Sequence, residues 1–256
     1  MKYVDYERPT SLKSALDILS EKGDVTKVLA GGTDILVKLR VRREQPDLLM
    51  DSKEIPELNE LSFNPDTGLT IGAAVPLYKL YADADVKKYY PALVDSTTII
   101  GGIPIQGRAT VGGNLCNAAP SADAIPTLIV LGATAIIQSS GNIREVPVSE
   151  FCTGPGSNVL KSNEILVTIN VPAPSDNSAA HYMRFIPRNE MDIAVVGVGS
   201  YVKLNASGDK FESVNVSLAS VAPTPLNVTE ISKFLSGKDV NDENIEKAGQ
   251  LAKEAS

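Results

Sequence analysis

Tryptophan is absent from this chain, histidine occurs once and cysteine twice among 256 residues. An iron–sulfur cluster takes about four cysteine ligands, and a structural zinc takes four Cys or His. Cys116, Cys152 and His181 are too few and too scattered for either. Any metal chemistry associated with this protein is therefore expected in another chain. Two cysteines also do not make a disulfide framework. A basic surplus is missing as well: 24 Lys and Arg against 31 Asp and Glu leave a net charge of −7. Nucleic acid and anionic membranes call for clustered cations. The densest basic stretch, Arg40-Val41-Arg42-Arg43, reads as a solvated helix end.

Long apolar runs are also lacking. The longest, residues 125–137, is interrupted by Pro126, Thr127, Gly132 and Thr134, and falls far short of the ~20 apolar residues of a membrane span. Met1-Lys2-Tyr3-Val4-Asp5-Tyr6-Glu7 is not a secretory leader. We expect a cytoplasmic protein without membrane insertion.

Ser11 is placed to cap a helix in which Leu12, Ala15, Leu16 and Leu19 repeat at helical spacing. A short strand over residues 27–30 runs into a glycine turn, and a second helix follows from residue 35, with Ile35, Leu36 and Leu39 on one face. Further strands are expected at 47–51, 69–73, 134–138, 143–148 and 165–171, with helix broken at Pro91 over 77–99 and loop over 100–109. Periodicity does not separate helix from strand at 125–131. Pro172-Ala173-Pro174-Ser175-Asp176-Asn177-Ser178 is the best linker. Beyond it, strands at 182–186, 193–204 and 211–219 precede helices at 228–235 and 243–254. The division expected is 1–175, with subdomains about 1–55 and 56–175, followed by 176–256.

Two glycine pairs carry the chemistry. Val28-Leu29-Ala30-Gly31-Gly32-Thr33-Asp34-Ile35 links strand to helix. Glycines there let backbone N–H groups approach an anion without Cβ interference, and the helix N-terminus adds partial positive charge. Thr33 offers a hydroxyl; Asp34 can cap the helix or hold a ribose hydroxyl. Thr110-Val111-Gly112-Gly113-Asn114 repeats that pattern. One Gly-Gly is usually a turn, but two such motifs suit a ligand with two phosphates and a ribose. Neither matches Gly-x-Gly-x-x-Gly or the P-loop, which disfavours both of those sites.

Those two motifs, with Ala119-Pro120-Ser121-Ala122-Asp123 after the second, resemble the signatures of the FAD-binding medium subunits of molybdenum hydroxylases, the family of xanthine, carbon monoxide and nicotinate dehydrogenases. The resemblance implies an α+β fold of the vanillyl-alcohol-oxidase (PCMH) type in two subdomains, then a C-terminal α+β domain with a three-stranded antiparallel sheet, here expected to be shortened. It implies non-covalent FAD cradled by Val28, Leu29, Ala30, Gly31, Gly32, Thr33, Asp34 and Ile35 and by Thr110, Val111, Gly112, Gly113 and Asn114. It adds FAD contacts from Asp123, Leu166 and Arg184, with Ile100 near the flavin ring. Arg188, Asp192 and Ile193 resemble the family's Arg-x-x-x-Asp-Ile-Ala stretch. Pro104-Ile105-Gln106-Gly107-Arg108 stands where relatives commonly have Gln-Ile-Arg-Asn.

The implied partners are a large molybdopterin-binding subunit and a small [2Fe-2S] subunit, in a dimer of heterotrimers. Electrons would pass from the clusters through FAD to an external acceptor. The competing expectation is a self-sufficient flavin oxidase or reductase of the same broad fold. That would need a substrate-side acid or base, and the sequence nominates none. His181 reads as a surface or hinge residue, Cys116 as a small buried side chain, and Tyr78, Tyr81, Tyr89 and Tyr90 as packing residues.

Overall fold

Leu12, Ala15, Leu16 and Leu19, spaced for one helix face, are the buried residues of helix α1 (Leu12–Lys22), and Ser11 Oγ accepts from Ser14 N–H at its start. The computed structural model describes residues 3–188 and 191–256. Strands β1 (Asp5–Glu7), β2 (Thr26–Leu29) and β3 (Leu48–Asp51) form a parallel sheet in the order β1-β3-β2, with helix α2 (Ile35–Arg40) crossing between β2 and β3. The expected apolar face of α2 is only partly buried. Leu39 is covered, whereas Leu36 is 46% exposed, because so short a helix packs through a single turn.

A five-stranded antiparallel sheet follows in the order β4-β5-β10-β6-β7. Its strands are β4 (Leu61–Asn64), β5 (Gly68–Gly72), β6 (Thr134–Ser139), β7 (Asn142–Pro147) and β10 (Ile165–Val171), with a small hairpin, β8 (Cys152–Gly154) and β9 (Ser157–Asn158), before the last. The central β10 is buried except at Asn170, as a strand covered on both faces must be. β4, β8 and β9 had no sequence signal: they are two to four residues long and lack sustained alternation.

Between β5 and β6 lie six short helices: α3 (Leu77–Ala82), α4 (Ala84–Tyr89), α5 (Pro91–Thr97), α6 (Ile103–Gln106), α7 (Val111–Asn117) and α8 (Ala124–Val130). Pro91 opens α5 as expected. Asp83 makes an additional break by capping α4 through Asp85 N–H and Val86 N–H at 2.9 and 3.0 Å. The stretch expected as loop before the second glycine pair contains α6. The segment left undecided is α8, a helix buried at all seven positions, so its surroundings rather than a polar face set its conformation. Tyr90 is buried with its hydroxyl donating to Pro172 O, and Tyr89 stacks on Phe63, while Tyr78 is 44% exposed.

The C-terminal part has four strands rather than the expected three. β11 (Ser178–Phe185), β12 (Val196–Leu204) and β13 (Phe211–Ala219) are joined by β14 (Leu226–Asn227), a two-residue edge too short to betray itself in sequence. Helices α9 (Thr229–Leu235) and α10 (Asp242–Ala255) cover the sheet around a second apolar cluster centred on Val214, Leu218, Ile231 and Leu235.

The two parts are joined by a buried polar contact. Asp123 accepts from Tyr182 Oη–H at 2.8 Å and from Arg184 Nη1–H at 2.9 Å. Both charged side chains are less than a tenth exposed. Burial pushes the Asp123 carboxyl up, partly opposed by Tyr182 and Arg184, and burial with the Asp123 charge pushes the Tyr182 phenol up strongly. On the surface, His181 Nδ1 lies 2.7 Å from Asp95 Oδ2. Removing one partner of a buried pair strands the other. We therefore expect Asp123→Ala to lower unfolding free energy by about 3–5 kcal/mol in urea titrations. Adding Arg184→Met should recover a substantial part of that loss.

Candidate functional site

The site begins where β2 ends. Gly32 has φ +82°, a left-handed conformation that glycine adopts without strain, and this turns the chain from β2 into α2. Gly31 is demanded by contact: a Cβ there would lie 2.3 Å from Arg108 O and 2.8 Å from Ala109 Cα. The first glycine element thus rests directly on the backbone that leads into the second. Ala109 O accepts from Leu77 N–H, and Thr110 bridges to Pro76, so that second backbone is itself anchored.

The second element is the first turn of α7 rather than a loop. Thr110 caps it, its Oγ1 accepting from Gly113 N–H at 2.9 Å. A Cβ on Gly112 would lie 2.6 Å from Ala73 Cα, so this glycine lets α7 dock against the chain just after β5. Helices leave their first N–H groups without intrahelical acceptors. In α2 the bonds begin with Leu36 N–H to Gly32 O, and in α7 with Asn114 N–H to Thr110 O. Asp34 makes no side-chain capping bond to α2, so the capping role open to it in sequence is not used.

Both helix starts open on one cleft of about 450 Å³, within the 300–1,000 Å³ span of small-molecule and cofactor sites. Among the expected site residues, Val28, residues 30–35, Ile100, Thr110, residues 112–114 and Leu166 line it. Leu29 and Val111 lie buried beneath. Asp123 and Arg184 are bound to each other between α8 and β11 and are not among the residues that line the cleft. Asp123 makes no side-chain capping bond to α8 either. Exposed Arg188 pairs with the half-buried Asp192, and Ile193 is 73% exposed.

Sequence reading missed the wall opposite the glycines. Asn158 of β9 donates to Cys116 O at 2.7 Å and faces the cleft. Glu164, 3% exposed, accepts from Arg144 Nε and Nη2 at 2.9 and 2.8 Å and from Lys161 N–H at 2.8 Å. The Arg144 bonds hold its carboxyl below the ordinary value, against burial. No local motif marks these residues, because a hairpin and a long-range ion pair bring them in. Lys38 was also missed, although it sits four residues after Asp34 and so shares its helix face.

Burial pushes the Cys116 thiol up to about 12 and the Cys152 thiol to about 11. Both therefore stay protonated and weakly nucleophilic, which suits a cofactor held without a thiol link. Asn114 Oδ1 is buried at the cleft with no hydrogen-bond donor. Buried acceptors are normally satisfied, and the hydroxyls or amino groups of a dinucleotide cofactor would satisfy this one. The glycine backbones, unfilled helix-start N–H groups, hydroxyls of Thr33 and Ser52, and apolar Ile100 and Leu166 fit such a ligand.

Fold and cleft together define a two-part dinucleotide-cofactor protein with an appended sheet-and-helix domain. Residues 2–174 match the model of the FAD binding domain in molybdopterin dehydrogenase, and residues 181–256 match the CO dehydrogenase flavoprotein C-terminal domain. The putative xanthine dehydrogenase FAD-binding subunit XdhB of Escherichia coli K12 is 30% identical over 95% of this chain and 83% of its own length. The caffeine dehydrogenase subunit beta of Pseudomonas sp. strain CBB1 is 31% identical over 93% of this chain and 80% of its own. The structure of carbon monoxide dehydrogenase from Hydrogenophaga pseudoflava superimposes with a TM-score of 0.92 at 28% identity, covering 97% of this chain and 85% of that one. The chain belongs to the family of FAD-binding subunits of molybdopterin-dependent dehydrogenases. It is an oxidoreductase component with the PCMH-type fold and FAD as its cofactor.

The Arg144–Glu164 pair makes the cleft wall acid-sensitive. A carboxyl depressed in the folded state stabilises above its ordinary value of 4.5 and loses that contribution as pH falls through the folded value. We expect Glu164→Gln to cost about 1.5–3 kcal/mol at pH 7. In urea unfolding, the gap from the unsubstituted protein should narrow as pH drops below 4.5.

Proposed function

We propose that this chain is the electron-outlet subunit of a multi-subunit molybdenum hydroxylase. In this reading its partners are a large molybdopterin-binding subunit and a small [2Fe-2S] subunit, assembled as a dimer of heterotrimers. FAD, when bound, supplies the one- and two-electron chemistry that couples single-electron clusters to an external acceptor. The observation that supports this most directly is the convergence of two glycine elements on one cleft containing an unsatisfied Asn114 Oδ1. This occurs in a chain whose two parts both match the family.

The chain's own work is then binding, orientation and exclusion of water. The N–H groups at the starts of α2 and α7 face the diphosphate, with Thr33 and Thr110 beside them. Asn114 Oδ1 accepts from a cofactor hydroxyl or amine. Ile100 and Leu166 give the apolar contact for a ring system, and Leu29 and Val111 support the cradle from below. Asp123 and Arg184 act indirectly in this reading, by fixing the C-terminal domain against α8. Tyr182 belongs to the same contact. A cytoplasmic location is part of the proposal: both cysteines are free thiols, and no helix of the described residues is long and apolar enough to cross a membrane.

The full chain, freed of flavin and titrated with FAD, is expected to bind it and quench its fluorescence. Gly31→Ala, which forces the two glycine elements apart, should weaken FAD by 10-fold or more, about 1.4 kcal/mol. Absence of FAD uptake by the folded protein, alone and with its partner subunits, would sink the proposal. Reduction of the flavin by an organic substrate without partner subunits would favour a self-sufficient enzyme.

A further inference from the structure

Lys38 lies one helical turn beyond Asp34 on α2, half-buried in the cleft wall. Its ammonium donates to Asn117 Oδ1 at 2.7 Å, spanning from the helix of the first glycine element to the end of the helix of the second. That acceptor is neutral. The other cations of the cleft are placed differently: Lys27 faces the Glu44 carboxylate at 3.4 Å, and Lys161 is exposed. Among the described residues, Lys38 has no carboxylate partner.

A charge drawn partly out of water normally ends on an opposite charge. Here the ammonium's hydrogen-bond partner is an amide oxygen; the carboxylates that also line the cleft, Asp24, Asp34, Glu44 and Glu164, make no ion pair with it among the described residues. A second unsatisfied group lies alongside: Asn114, whose buried Oδ1 lacks a donor, is three residues before Asn117 and shares its face of α7. A missing anion beside Lys38 and a missing donor beside Asn114 describe one ligand, carrying negative charge next to hydrogen-bonding groups.

We propose that Lys38 is the counter-charge for the diphosphate of the bound dinucleotide, and that Asn117 holds its ammonium in the cleft until the ligand arrives. This rests on the cleft being the FAD site. No general acid or base role follows: Lys38 neutralises and orients.

The test uses the full chain freed of flavin and titrated with FAD at low and high salt. Lys38→Met is expected to weaken FAD by 10- to 100-fold at low salt, the range of a charge-assisted contact. Lys38→Arg should restore most of the affinity. The gap between Lys38→Met and the unsubstituted protein should shrink at high salt, because salt screens a partly exposed pair. Asn117→Ala should lower FAD affinity far less than Lys38→Met, since the ammonium remains. Unfolding midpoints, measured for every variant, exclude a folding defect. If Asn117→Ala is as harmful as Lys38→Met, Lys38 is only a brace between the helices and the proposal falls. It also falls if Lys38→Met leaves FAD affinity within twofold while Gly31→Ala weakens it, with the cleft reading intact. If neither variant changes affinity, the cleft is not the FAD site and both readings fail together.

Discussion

The site depends on one close approach: the backbone of Gly31 against the carbonyl of Arg108. Without it, the parallel three-stranded sheet and the helices that follow the antiparallel sheet would present separate helix starts to solvent. With it, α2 and α7 begin next to each other on one cleft. Any side chain at position 31 would hold those walls apart, since the atom in its way is backbone and cannot swing aside. Gly112 repeats the device one layer deeper, where α7 meets the chain after β5. The glycines of both motifs therefore serve assembly of the protein as well as access for an anion. Only Gly32 is required by its own left-handed conformation.

The second constraint is the junction between the parts. Asp123 follows the second motif in sequence and is held in a contact with Tyr182 and Arg184. Desolvation works against its charge, and the guanidinium offsets that cost. The contact joins the start of α8 to β11, and α8 is the helix that the C-terminal sheet covers. Asp123 and Arg184 thus couple domain packing to the segment that follows the second glycine element.

Much of the fold was legible because its long elements obey simple periods. α1 shows its face at helical spacing, and the long strands of both antiparallel sheets stand out as apolar runs between turns. What escaped is short or wholly buried. β14 is two residues, α6 is four, and α8 has no polar face to betray its period. The glycine side of the cleft was legible for the same reason as α1: strand, glycine turn and helix are local. The far wall was not. Asn158 arrives through a hairpin, and Glu164 is held by an arginine of β7 twenty residues earlier.

By itself, the sequence pointed to the ligand class. Paired glycines beside hydroxyl and amide side chains suit a dinucleotide phosphate, and the cysteine count leaves this chain few ligands for a metal cluster. Those conclusions need only residue identity and local spacing. Tertiary structure alone decided which residues share the cleft. It placed Lys38 opposite Asn117, left Asn114 Oδ1 without a donor, and moved Asp123 and Arg184 to the domain junction. The reason is physical: proximity between residues distant in the chain comes from how sheets and helices pack, and no local pattern records it.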